Sequence, residues 1–368
     1  MPPNVSKPHT EGSTRFDPDT FFSDWVTNSF RLQDNDFRST IIEAFGLKPD
    51  DNYIYRAVAE VTLAQVQRVI EYGGQGILHK WYVDGEGKQI SPPPLTDITA
   101  YTTVFSSTTS THKALIALAS NAKKASLRVV VASHLQSNYH PPLSSITIPK
   151  LKSPHTNPYY DVWTWTCQNL EWAGPVPLEG EVRLNNQAHH ILPVLYHHFG
   201  CVCPSYEALE IIRQLALKDK GNRPILDIGS GNGYWTYCLR QLGKQGKALS
   251  VVPIDNALSL WRTMWVGDTV TTDAVSYLQK TTGAKDCILL LVYPQVGGDF
   301  TGKVLESYKG NTVVVAGTQN ANGFTAFKTQ MIAEWMAKEM SEFDKTVQIP
   351  LPSFAGKDEA LFVFERRT

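Results

Sequence analysis

Residues 224–235 read Pro-Ile-Leu-Asp-Ile-Gly-Ser-Gly-Asn-Gly-Tyr-Trp. A short apolar run, Ile225, Leu226 and Ile228, carries one acid, Asp227, and gives way to glycine at every second position, Gly229, Gly231 and Gly233. Residues 234–242 continue with a helical pattern. Glycine lets a backbone turn sharply and approach a ligand closely. A helix that starts behind such a loop presents unpaired N–H groups. Asp227 adds a carboxylate at the strand's carboxyl end, the edge where open parallel sheets bind small ligands.

The glycine spacing separates two cofactor classes. A dinucleotide loop has Gly-x-Gly-x-x-Gly, whose third glycine eases helix packing under a pyrophosphate. Here Gly229-x-Gly231-x-x is followed by Tyr234, a bulky ring, and Asp227 would repel a pyrophosphate but attract an amino group. A nicotinamide-dependent oxidoreductase is therefore disfavoured.

Outward from the loop, strand and helix patterns alternate, which predicts a doubly wound, mostly parallel sheet. Strands are expected at residues 225–228, 248–254, 268–272, 287–293 and 312–316, then a helix over 325–340. Two last strands, 347–351 and 360–366, close the chain. The run at 287–293 is continuously apolar, as befits a central strand covered on both faces. Asp255 ends the second strand 28 residues after Asp227 and suits paired ribose hydroxyls, with Asn256 beside it.

The acid-x-Gly-x-Gly-x-Gly string resembles the first motif of class I S-adenosylmethionine-dependent methyltransferases, over roughly residues 185–368. The resemblance implies their seven-stranded α/β sheet and a pocket for S-adenosylmethionine built by Asp227, Gly229, Ser230, Gly231, Asn232, Gly233 and Tyr234. It also implies ribose binding by Asp255 and Asn256, and adenine contact by Asp273-Ala274, with Gly267-Asp268 as a rival acid. The family's fourth motif falls at Val292-Tyr293-Pro294-Gln295, which keeps only the first proline of Asn/Asp-Pro-Pro-Tyr. That departure weighs against adenine-type N-methylation. Tyr293 is the expected neighbour of the transferring methyl, and aromatic faces such as Tyr234, Trp235 and Tyr293 suit a sulfonium. His197 and His198 are the candidate general bases for a hydroxyl acceptor, because histidine titrates near neutrality. The implied activity is methyl transfer to the oxygen or nitrogen of a small molecule. The alternative is a protein of the same fold that does not transfer methyl, either cyclase-like or regulatory.

Composition narrows the setting. The chain has 368 residues, 42% of them hydrophobic, and a net charge of −1. No basic stripe suggests nucleic acid, and no apolar run reaches membrane-span length. Five cysteines in so long a chain fit a reducing compartment, so a cytoplasmic location is expected. Cys201-x-Cys203, with His189, His190, His197 and His198 nearby, matches no standard zinc spacing, so no metal is expected.

The domain expectation is a disordered tail at 1–15, an N-terminal α+β domain at 16–150 for substrate binding or homodimerisation, an aromatic and proline-rich connector at 151–184, and the sheet domain at 185–368. Residues 16–45, 52–72 and 111–124 read as helical. Residues 77–83 read as a strand turning at 84–87 toward Gln89. The β-branched run at 127–132 also reads as a strand. The aromatics of 141–177 either wall a substrate or pack one domain onto the other.

Overall fold

The computed structural model describes all residues except 1–15, 51–53, 58, 74–80, 85, 143, 178–189, 219–220, 245, 259–261, 321–324 and 368. The expected tail, the reading of residues 77–80, His189 and the end of the 319–324 loop lie outside the described residues.

Seven strands form one sheet: β3 (Ile225–Ile228), β4 (Val251–Asp255), β5 (Val270–Thr271), β6 (Ile288–Val292), β7 (Thr312–Thr318), β8 (Phe343–Pro350) and β9 (Glu359–Arg366). Their order is β5-β4-β3-β6-β7-β9-β8, and β9 alone runs against its neighbours. This is the methyltransferase-like sheet that the glycine motif implies. The chain winds outward from β3 through β4 to β5, then returns to β6 on the other side. The order therefore reverses between β3 and β6, where such sheets open a ligand crevice at their carboxyl ends.

Side chains alternate across the central strands with the period of two that a pleated strand imposes. Ile225, Ile288, Leu290, Val314, Ala316, Leu361 and Val363 enter one core. Leu226, Leu289, Leu291, Val313, Val315, Phe362 and Phe364 enter the other. Helices α11 (Ala274–Lys280), α12 (Phe300–Ser307) and α13 (Ile332–Glu339) cover the second face. The first face carries α8 (Leu192–His198), α9 (Tyr206–Leu217) and α10 (Tyr234–Lys244). Helix α10 buries Trp235, Cys238, Leu239 and Leu242 at helical spacing.

Beyond that layer lie α1 (Pro18–Ser29), α2 (Phe37–Ala44), α3 (Leu63–Gly73), α4 (Leu95–Thr103), α5 (Thr111–Ser120), α6 (Leu127–Ser137) and α7 (Pro158–Asn169). Asp17 and Asn157 cap α1 and α7 through their side chains, each followed by proline at the first helical position. The helical expectation for 52–72 holds only in its second half. Its first half forms the strand pair β1 (Tyr55–Arg56) and β2 (Glu60–Val61). The expected turn at 84–87 appears as an isolated bridge from Val83 to Gln89. The strand expected at 127–132 is helix α6. Val131, Ala132 and Leu135 bury themselves at helical spacing, so tertiary packing outweighs the β-preference of three consecutive valines. The aromatics of the connector pack inward, with Tyr159, Trp163 and Trp172 at 0–1% exposure in the same core as the sheet.

Candidate functional site

The glycine loop leaves β3 with all three glycines in the left-handed region, at φ 73° for Gly229, 57° for Gly231 and 79° for Gly233. Any Cβ at Gly233 would also collide with Val266 Cγ2. Neighbouring strand ends hold the loop in shape. Gly229 N and Ser230 N donate to Ile254 O at 2.8 and 3.2 Å, and Gly231 N donates to Asp255 Oδ2 at 3.0 Å. Asp255 Oδ1 accepts from Ala257 N at 2.9 Å. Asp255 thus braces both the loop after β3 and the loop after β4, and its remaining lone pairs stay available for hydroxyl donors.

Asp227 is 1% exposed. Its Oδ2 accepts from Thr236 Oγ1 at 2.6 Å, while Oδ1 is buried with no partner. Burial pushes its carboxyl up to about 6; Asp255 adds to that shift, while the Thr236 bond and Arg240 oppose it. Ser230 Oγ is likewise buried and unsatisfied. Two orphaned polar atoms in one ligand-facing turn call for a polar partner. An ammonium for the carboxylate and an acceptor or donor for the hydroxyl would satisfy both.

The remaining sequence candidates separate into two groups. Asp273 stands after β5 and caps α11, accepting from Ser276 N at 2.8 Å, with its carboxyl held low by that backbone bond; Ala274 behind it is buried. The rival Asp268 is taken by Arg240 in a two-pronged ion pair at 2.8–2.9 Å. Asn256 is exposed and closes a turn on Leu258 N. These lie along the carboxyl edge with the glycine loop. Asn232 and Tyr234 instead face the core. Asn232 Nδ2 donates to His198 O, and Tyr234 Oη donates to Asn157 Oδ1 at 2.9 Å while its ring sits 4.7 Å edge-on to Trp265.

His198 has no exposed surface, and both ring nitrogens are engaged, with Tyr55 Oη at 2.9 Å and Thr263 Oγ1 at 2.8 Å. Phe45 stacks on it at 3.9 Å. Burial, aided by His197, drives its pKa far down and keeps it neutral. His197 is 1% exposed, edge-on to Tyr55. The two rings tie α8 to β1 and α2 rather than opening on the strand ends.

Tyr293 leaves β6 directly beside the switch point, with φ at 50°, a region that large side chains rarely occupy. Strained backbone of this kind clusters where a side chain must be aimed. Its Oη accepts from Lys357 Nζ at 2.6 Å, and that ammonium stands 4.9 Å from its ring centroid. Lys357 and Glu359 escaped the sequence reading, because residues 352–359 read there as a connection between two strands. The register Thr318↔Glu359 brings the start of the reversed β9 to the carboxyl ends of β6 and β7. A Lys-Asp-Glu run opening an otherwise apolar strand was the available signal.

Two clefts lie elsewhere on the surface. The larger, about 580 Å³, runs along the outer side of α10 between Phe22 and Pro154, away from the strand ends. The smaller, about 390 Å³, sits at the carboxyl edge between the loop after β6 and residues 326–328. None of the site residues expected from the sequence lines either cleft. Among the described residues, no helix is long and apolar enough to cross a membrane, and no three His, Cys, Asp or Glu side chains form a metal-binding group. All five cysteines are free thiols.

No protein-family model and no curated protein sequence matches the chain. Solved structures do resemble it. One is magnesium protoporphyrin IX methyltransferase from Synechocystis PCC 6803 with bound SAM, 10% identical over 44% of this chain and 79% of that one, with a TM-score of 0.32. A SAM-dependent methyltransferase from Archaeoglobus fulgidus is 14% identical over 43% and 92%, with a TM-score of 0.30. A protein named precorrin 8w decarboxylase, from Methanobacterium thermoautotrophicum, is 17% identical over 45% and 91%, with a TM-score of 0.28. At such values the strand order and the site geometry carry the reading, not the likeness.

Proposed function

We propose that the protein binds S-adenosylmethionine at the glycine loop and transfers its methyl group to a small-molecule acceptor. The single observation that carries this reading is Asp227, a buried carboxylate with an orphaned oxygen, one residue before the end of β3 at the switch point under a loop of three left-handed glycines. The cofactor's ammonium would meet Asp227 Oδ1, its ribose hydroxyls would meet Asp255, and its adenine would lie toward Asp273 and Ala274. When bound, it supplies a methyl on a sulfonium, open to in-line displacement.

The chain's own part is positioning and exclusion of water. Asp227 gains a cationic partner that returns its carboxyl to the ionised form. Tyr293, aimed from the end of β6, stands where the acceptor would approach. Free thiols throughout fit a reducing, cytoplasmic setting.

Isothermal titration with S-adenosylhomocysteine tests the reading. Micromolar binding is expected for the native protein, with a loss of at least about tenfold, near 1.4 kcal/mol, in both Asp227→Ala and Gly231→Val. Unchanged affinity in both variants would overturn it. If the cofactor binds yet radiolabelled donor transfers nothing to any acceptor in a cell extract, the non-transferring alternative takes its place.

A further inference from the structure

A second group of unspent polar atoms lies across the switch point from the glycine loop. Lys357 sits on the connection between β8 and β9, half-buried, its Nζ bonded to Tyr293 Oη at 2.6 Å. Tyr196 of α8 stands beside both, its ring 6.0 Å from that of Tyr293 and 6.0 Å from Lys357 Nζ. Tyr196 Oη is buried and has no hydrogen-bond partner. Phe354 closes the cluster against Tyr196 at 5.8 Å. Two residues beyond Lys357, Glu359 is fully buried; its Oε2 accepts from Phe354 N at 3.0 Å, and its Oε1 has no partner.

The charge balance of this cluster is one-sided. Among the described residues, no carboxylate lies within ion-pair distance of Lys357. Asp358 turns away to His134 at 2.7 Å and Gln319 at 2.8 Å. Burial opposes the charge on Lys357, but Tyr293, whose hydroxyl its Nζ contacts, outweighs it, and the ammonium stays above the ordinary lysine range. Burial pushes the Glu359 carboxyl up to about 8, against the pull of Lys357, so it keeps its proton at neutral pH. A protonated carboxyl and a phenol are both donors. The ammonium of Lys357 and the unspent Tyr196 hydroxyl, packed among aromatic rings, thus lack an anionic partner.

We propose that Lys357, with Tyr196 and Tyr293, seats a carboxylate borne by the methyl acceptor, so that the substrate is a small aromatic acid. The anion satisfies the ammonium and the orphaned Tyr196 hydroxyl, and the rings select a flat body next to it. The inference rests on the methyl-transfer reading for the word acceptor, but the anion site stands or falls separately.

Benzoate and its uncharged isostere benzamide, titrated into the full chain with and without S-adenosylhomocysteine, provide the test, followed by ligand-observed NMR. Benzoate is expected to bind at least about tenfold more tightly than benzamide. Lys357→Met should abolish that preference and Lys357→Arg should keep it, with S-adenosylhomocysteine affinity unchanged in both as evidence of an intact fold. Equal binding of the two probes, no benzoate binding, or a preference that survives in Lys357→Met would overturn the proposal. If S-adenosylhomocysteine fails to bind while a Lys357-dependent benzoate preference persists, the anion site holds and the methyl-transfer reading falls.

Discussion

Ionising a carboxyl group that has almost no contact with water is costly, and Asp227 carries that cost at the centre of the site. Its folded pKa of about 6 lies above the ordinary 3.8. Between those values the native state binds more protons than the unfolded chain, so this group's contribution to stability falls as pH rises from about 4 to about 6 and then levels off. The gap of roughly two pKa units corresponds to about 3 kcal/mol. Asp227→Asn keeps an acceptor for Thr236 and removes the charge. Its melting temperature is therefore expected to exceed that of the native protein at pH 8, with the difference shrinking toward pH 4. A difference that stays flat across that range would contradict the burial argument. The same variant should lose S-adenosylhomocysteine, so the residue trades stability for binding.

At the scale of elements, the clearest local signal was the run of glycines after β3. Ser205 caps α9, and its hydroxyl accepts from Ala208 N at 3.1 Å. Removing that acceptor in Ser205→Ala leaves a buried N–H unpaired and should lower stability by about 1 kcal/mol, while Ser205→Asp should retain most of it. Urea denaturation of the three proteins checks the ranking. Strands β3, β4, β6 and β7 were legible for a related reason, since continuous apolar runs bounded by turn residues have few alternative structures. Helix α6 was not legible. Its valines favour a strand locally, and only the partners of Val131 and Leu135 decide otherwise.

At the scale of the molecule, the N-terminal helices and the sheet share one core. Trp163 and Trp172 both donate to Ser353 O, at 3.0 and 3.1 Å, and Tyr159 Oη donates to Gly200 O at 2.7 Å. Tyr55 reaches His198 from the far end of the chain. Each such aromatic removes on the order of 200 Å² from water, about 5 kcal/mol at 25 cal/mol per Å² as an upper bound. A fragment of residues 185–368 would expose the apolar surface that these rings cover. It is expected to bind a hydrophobic dye and to lack the sharp thermal transition of the full chain. A fragment with native-like cooperative melting would show that 185–368 is autonomous.

The sequence by itself determined the ligand edge of the sheet. Glycines that must adopt positive φ, and an acid near the end of an apolar strand, are local requirements that few other arrangements meet. The alternation of strand and helix also put Asp255 at the end of the next strand, whereas the reversal of order between β3 and β6 came from the tertiary structure. Only the tertiary structure decided what faces that edge from across the crevice. His197 and His198 are chemically suited to catalysis, yet packing against Tyr55 and Phe45 turns them inward. Lys357 lies on the connection between β8 and β9, and the reversed β9, which Glu359 opens, brings it to Tyr293. Local pattern reports the conformations that a segment can adopt. Which side chains share a crevice depends on strand order and register, and those are set by pairings between residues tens of positions apart, such as Ile225 with Ile288 and Thr318 with Glu359.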